Sequence, residues 1–104
     1  MWKEGLAEHV LVLTLRAGKA VCIGDDVEIQ LAGTVGEGAQ KMACLRIIER
    51  ASTCVSCYRT HESFRVGERI GVSVAQIDSP MHVRLAIAAP REVAIVRRDA
   101  SRVR

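Results

Sequence analysis

Two stretches of the chain hold residues whose types and spacing could do chemistry. In Cys54-Val55-Ser56-Cys57-Tyr58-Arg59-Thr60-His61, two thiols and an imidazole fall at Cys-x-x-Cys-x-x-x-His spacing. That is compatible with half of a zinc site built from Cys54, Cys57 and His61, with Cys44 or Cys22 completing it. A redox switch is a second use of such thiols. A single Cys-x-x-Cys is not specific, however, and plain structural thiols, with no metal and no cofactor, are the expectation. Cys44 serves equally well as a small hydrophobe, and Cys22 replaces an apolar strand residue.

The other stretch is Val83–Arg97, two aliphatic runs separated by Ala88-Ala89-Pro90-Arg91. Alternation at period two gives each run two faces. Val93, Ile95 and Arg97 share one face of the second run, and Glu92, Ala94 and Val96 share the other. A cation ending an apolar strand face suits a surface that holds something flat and anionic; an ordinary strand with a solvated end is the plainer alternative. His9 and His82 have no carboxylate or nucleophile at readable spacing. Asp25-Asp26 after Gly24 reads as a solvated turn, and no phosphate-binding glycine motif occurs. No catalytic residues are assigned, and an enzyme is not expected.

The elements that must position these residues come from a small chain. With 104 residues it forms one domain, and with one Phe, one Trp and one Tyr its core must be aliphatic. A core of that size often leans on a subunit partner. The net charge is +3, and Arg91, Arg97, Arg98, Arg102 and Arg104 crowd the C-terminal end against Glu92 and Asp99. This favours a polyanionic partner. No apolar run approaches a membrane span, and Met1–His9 lacks the hydrophobic stretch of a secretory signal. A cytoplasmic protein with no membrane partner is expected, and in that compartment reduced thiols are favoured over disulfides.

Residues 1–9 read as a short arm or helix turn. Val10–Arg16, Val21–Ile23 and Val27–Leu31 are strand-like and are joined by turns at Ala17-Gly18-Lys19 and Gly24-Asp25-Asp26, as in an antiparallel meander. Beyond Gly33 the period changes. Cys44, Ile47, Ile48 and Ala51 fall at helical spacing, and Thr34-Val35-Gly36-Glu37 has capping-box spacing, which predicts a helix from about Ala39 to Arg50. Residues 52–69 read as loop. Ile70–Ile77 restores a strand, Asp78-Ser79-Pro80 turns, and two last strands follow. The residues after Arg97 allow only a marginal helix.

Residues 10–33, VLVLTLRAGKAVCIGDDVEIQLAG, and 83–99, VRLAIAAPREVAIVRRD, together resemble the two halves of the carbon storage regulator family (CsrA/RsmA). The resemblance rests on Leu-Thr-x-Arg, a Gly turn and Ile-Gly-Asp-Asp-Val in the first block, and on Ala-Pro-Arg-Glu-Val with a following Arg in the second. It implies a mainly β fold: a small five-stranded antiparallel CsrA-like sheet in an intertwined homodimer, where the first strand of one subunit lies beside the last strand of the other. It further implies two equivalent sites, shared between subunits, for GGA motifs in messenger RNA 5′ leaders. Binding there controls translation and message stability. Small regulatory RNA and a protein antagonist are further implied partners. Carried over position by position, the RNA-binding residues are Leu13, Thr14 and Arg16 on the first strand, Ala89, Pro90 and Arg91 in the loop, and Val93, Ile95 and Arg97 on the last strand. Backbone groups, apolar packing and arginine can read exposed bases without aromatic platforms.

The chain departs from the family in four ways. Leu15 stands where the family usually has an arginine, removing a cation from each site. The terminal helix is cut to a stub. Residues 1–9 read as an N-terminal extension, or a misplaced start site, ahead of a single CsrA-like domain expected over 10–104. Residues 34–69 read as a helix/loop insertion, after which Ile70–Ile77 resembles the family's central strand a second time. Either Val27–Leu31 or Ile70–Ile77 could take the central place, and the short turn after Ile77 favours the latter. A variant subgroup with a helix inserted after the second strand and no terminal helix is similar in plan. Two other functions compete with RNA regulation: a divergent paralogue acting as a protein-interaction module through mixed dimers or the insertion, and a metal- or redox-responsive regulator using Cys54, Cys57 and His61.

Overall fold

The computed structural model describes residues 8–100, in which nine β-strands and one short 3-10 turn account for about three quarters of the residues. The arm expected at the N-terminus and the helical stub expected at the C-terminus fall largely on residues 1–7 and 101–104, outside the described residues. The strands are β1 (Glu8–Arg16), β2 (Lys19–Ile23), β3 (Val27–Val35), β4 (Met42–Glu49), β5 (Ser52–Arg59), β6 (Ser63–Val66), β7 (Ile70–Ser79), β8 (His82–Pro90) and β9 (Ile95–Asp99). They form two antiparallel sheets, ordered β1-β8-β7-β6 and β5-β4-β3-β2-β9. No helix among the described residues is long and apolar enough to cross a membrane.

The helix expected from Ala39 to Arg50 is not formed. Only Gly38–Gln40 make a 3-10 turn, and β4 occupies most of the span. The inward row of β4 is Ala43, Leu45 and Ile47, all buried, so period two overrides the helical stripe of Cys44, Ile47, Ile48 and Ala51. β4 lies between β3 and β5, and the full ladder on each side decides its conformation. The loop expected over 52–69 is likewise replaced by β5, β6 and their turns. The N-terminal meander is partial: β2 pairs with β3, but β1 pairs with β8 of the other sheet.

The two sheets share one plan. β1–β4 and β5–β8 are two copies of a four-strand unit, displaced by 43 residues over their first three strands. The β2–β3 pairs Ala20↔Gln30 and Ile23↔Val27 reappear as Ser63↔Ser73 and Val66↔Ile70. The register of β3 on β4 slips between Leu31 and Gly33, and that of β7 on β8 slips between Val74 and Gln76, the same places in each unit. A repeated bulge at a repeated position marks structural duplication more firmly than strand count does. Each unit gives its first strand to the other: β1 pairs with β8, and β5 pairs with β4. The strand exchange expected between two subunits therefore takes place between the halves of one chain. β9, which belongs to the second unit alone, pairs with β2 of the first.

Between the sheets lies one aliphatic core. Leu15, Val66, Val72, Val74, Val83, Leu85 and Ile87 enter from one side, and Val21, Ile23, Val27, Ile29, Leu31, Ala43, Leu45 and Ile47 from the other. The molecule measures 42 × 33 × 20 Å, its thinnest dimension being that of two stacked sheets with their side chains. The few aromatic residues leave the filling to branched aliphatics.

The turns after the exchanged strands differ in one instructive way. Gly18 (φ 84) ends the β1–β2 turn, and its counterpart 43 residues on is His61 (φ 75). Glycine is at ease there, whereas a side chain in the left-handed region costs about 1 kcal/mol. His61→Gly should therefore raise the unfolding free energy by up to about 1 kcal/mol in urea denaturation. A loss of stability would show that the imidazole makes a contact worth more than the backbone cost.

Candidate nucleic-acid interface

β9 carries the most chemically suggestive residue, Arg97, and is held along its whole length. It starts with Gly24 N–H donating to Ala94 C=O at 2.8 Å and ends with Ala100 N–H donating to Gly18 C=O at 3.0 Å. Between these, five residue pairs from Lys19↔Asp99 to Ile23↔Ile95 join it to β2. The chain reaches β9 from β8 through a turn closed by Val93 N–H to Pro90 C=O at 3.0 Å. Val93 and Ile95 rest against the core, which seats the strand.

That seating brings the two ends of the chain together. Thr14 and Arg16 of β1, Lys19 of β2, and Arg97 and Arg98 of β9 line one cavity of about 370 Å³. Four cations thus face one hollow. Asp99 bonds Lys19 Nζ at 2.6 Å, and that ammonium holds its carboxyl below the ordinary value. Among the described residues Arg16, Arg97 and Arg98 make no ion pair. The hollow is positively charged, lined without aromatic rings, and open to a ligand that brings its own negative charge.

The other positions carried over from the resemblance are placed differently. Leu13 is half-buried and packs on the core. Ala89 is fully buried and Pro90 is buried, while Arg91 is exposed. Pro90 and Val93 line a separate cavity of about 540 Å³ with the β2–β3 turn and Arg69. The structure therefore gathers Thr14, Arg16 and Arg97 at one hollow and sets Pro90 and Val93 at another. Leu15 is fully buried, so its side chain belongs to the core. Lys19 and Arg98 were not expected at the hollow. Lys19 reads as a turn residue in the sequence, and only the C-terminal surplus of arginines signals Arg98.

The cysteine pattern resolves in another way. Cys44 and Cys57 are directly opposite on β4 and β5, with Cα atoms 4.0 Å apart, and form a disulfide. This corrects the expectation of reduced thiols throughout: ladder register, invisible in sequence spacing, sets the two sulfurs side by side. Cys57 is thereby removed from any ligand set with Cys54 and His61, and no cluster of three metal-ligating groups forms among the described residues. Cys54 is free and exposed. Cys22 is free and buried, and burial pushes its thiol above its ordinary value against the opposing pull of Arg98.

Residues 58–102 match the model of CsrA, described as a global regulator protein family. This stretch is similar to the CsrA family. The match covers under half of the chain and runs from the end of β5 through β9, almost the whole second unit. It supports a CsrA-like protein and, in general terms, RNA-binding post-transcriptional regulation; the family is one of regulators and not of enzymes. Comparison with curated proteins and with solved structures finds no match.

The thiol environments have a direct readout. Alkylation of the folded, unreduced protein should label Cys54 and spare Cys22, Cys44 and Cys57, as read by peptide mass spectrometry. Labelling of Cys57 without prior reduction would rule out its pairing with Cys44.

Proposed function

We propose that this protein is an RNA-binding post-transcriptional regulator that holds single-stranded GGA segments of messenger RNA leaders, or of small regulatory RNA, across β1 and β9. The observation that carries the reading is the convergence of Thr14, Arg16, Lys19, Arg97 and Arg98 on one hollow from opposite ends of the chain. The CsrA-like character of residues 58–102 supports it.

The chemistry fits an unpaired, guanine-containing strand. Guanidinium groups can pair with phosphate or with the O6/N7 edge of guanine, and a hydroxyl such as that of Thr14 can both donate and accept. The strand ladders fix the backbone positions from which these groups reach, which reduces the ordering cost of binding. Among the described residues the two aromatic rings, Tyr58 and Phe64, stack on each other with centroids 4.4 Å apart, so neither is offered as a stacking platform. A bound leader segment is closed to ribosomes, and this is the route to translational control.

A gel shift with a GGA hairpin and a scrambled control tests the reading. Wild type should prefer GGA, and Arg97→Ala should weaken binding roughly 10- to 100-fold while circular dichroism stays unchanged. Equal binding to both hairpins would defeat the specific claim. With four cations engaged on a single strand, affinity should fall roughly 50-fold between about 50 and about 200 mM salt. Asp99→Asn should tighten binding about 2- to 5-fold at low salt by freeing Lys19. Weaker binding by that variant would show that the Lys19–Asp99 pair organises the site.

A further inference from the structure

We infer that this chain is a one-chain, one-site molecule: its halves replace the two subunits of an intertwined dimer, and the second site that such a pair would carry has been closed. The inference rests on the RNA-binding reading for what the site holds, and on the strand pairing for how many sites there are.

Transfer of the β1 side of the hollow by 43 residues gives the positions a second site would use. Thr14 becomes Cys57, whose sulfur is tied to Cys44. Lys19 becomes Glu62, a reversal of charge, and Glu62 Oε1 accepts from Arg59 N–H at 2.6 Å. Arg16 alone keeps its type, as Arg59, but that guanidinium donates to Gln40 Oε1 at 3.1 Å.

The other wall is missing altogether. Arg97 and Arg98 belong to β9, and the first unit has no such strand. Its β4 ends at Glu49, and β5 starts at Ser52 directly opposite, so a tight hairpin stands where a fifth strand would begin. Among the described residues β6 consequently has β7 on one side and no strand on the other, whereas its counterpart β2 has both β3 and β9.

The core records the same loss. Val21, paired in the ladder with Arg97 of β9, is fully buried. Its counterpart Phe64, with no strand beyond it, stacks on Tyr58, the counterpart of Leu15, with an interplanar angle of 14°. Two aliphatic positions have become large rings that cover each other at the uncovered edge. Aromatic burial there substitutes for the apolar contribution of the absent strand. The arrangement is thus a closed end and not a half-site waiting for a second chain.

Light scattering during gel filtration and calorimetric titration with RNA test this together on the full chain. RNA-free protein should elute with the mass of one chain. A hairpin carrying one GGA should bind at one RNA per chain, and an RNA with two well-separated motifs should load two chains. Arg16→Ala should cost at least about tenfold in affinity, while Arg59→Ala should stay within about twofold of wild type. A dimer, two hairpins per chain, or equal losses for the two variants would overturn the inference. If no RNA binds, the functional reading fails, and the one-site claim falls with it; the light-scattering mass still decides separately whether one chain is self-sufficient.

Discussion

The structure depends on the exchange of first strands between the two units. Neither unit alone closes a sheet: β2, β3 and β4 need β5 on one side, and β6, β7 and β8 need β1 on theirs. Backbone groups left unpaired along β4 and β8 would be open edges, a liability for any small β protein. Exchange pairs β4 with β5 and β8 with β1, moves the edges out to β5 and β1, and places both inner faces against each other at once. The aliphatic core is therefore not two small cores but one shared core, into which Leu45 and Leu85 reach from equivalent positions on opposite sheets. A short chain with three aromatic residues needs that economy of surface.

The same exchange makes the composite hollow. β1 lies in one sheet and β9 in the other, yet both belong to strands that the opposite unit or its own tail must hold in place. β9 adds to β2 as an edge strand, and its ladder fixes Arg97 opposite Val21 and Arg98 opposite Ala20. Hydrogen bonds at Gly24–Ala94 and Gly18–Ala100 close the two ends of the ladder. Position of charge thus follows from backbone pairing. No side-chain contact has to orient the arginines for them to reach the same hollow as Thr14 and Arg16.

What could be read from the sequence was whatever depends on local pattern. The alternation in Val27–Leu31 and Ile70–Ile77, the turn at Gly24-Asp25-Asp26 and the faces of Val93–Arg97 are all visible within a few residues. Residues 34–69 were not legible for the opposite reason. Ile47 satisfies both a helical stripe with Cys44, Ile48 and Ala51 and a strand row with Ala43 and Leu45, and only the partners on β3 and β5 choose between them. Those partners are set by register, which local sequence does not encode. The duplication left traces, since Ile23-Gly24-Asp25-Asp26-Val27 and Val66-Gly67-Glu68-Arg69-Ile70 share a frame, but Asp26 against Arg69 shows how far the surfaces have diverged. For the hollow, Arg16, Thr14 and Arg97 were legible through the family pattern. Lys19 needed the β2–β9 ladder, and the inward turn of Leu15 needed the β1–β8 register.

The distribution of charge separates what the fold requires from what it only carries. Four cations around one hollow repel one another; Asp99 pairs with Lys19, and Arg98 also lines a second cavity with Asp25, Asp26 and Glu28. Nothing in the core calls for that cluster: the sheet positions facing outward on β9 could hold neutral residues and keep every ladder bond. The equivalent end of the molecule shows what the fold adopts without such a demand, with Glu62 in place of Lys19, a sulfur bridge in place of the threonine, and paired rings at the edge. One end is neutralised and covered, and the other is left charged and open, on units that share the same backbone plan. Where two copies of one scaffold differ in this way, the locally unfavourable copy is the one under a functional constraint. That asymmetry, more than the positive net charge, supports the proposed binding face on β1 and β9.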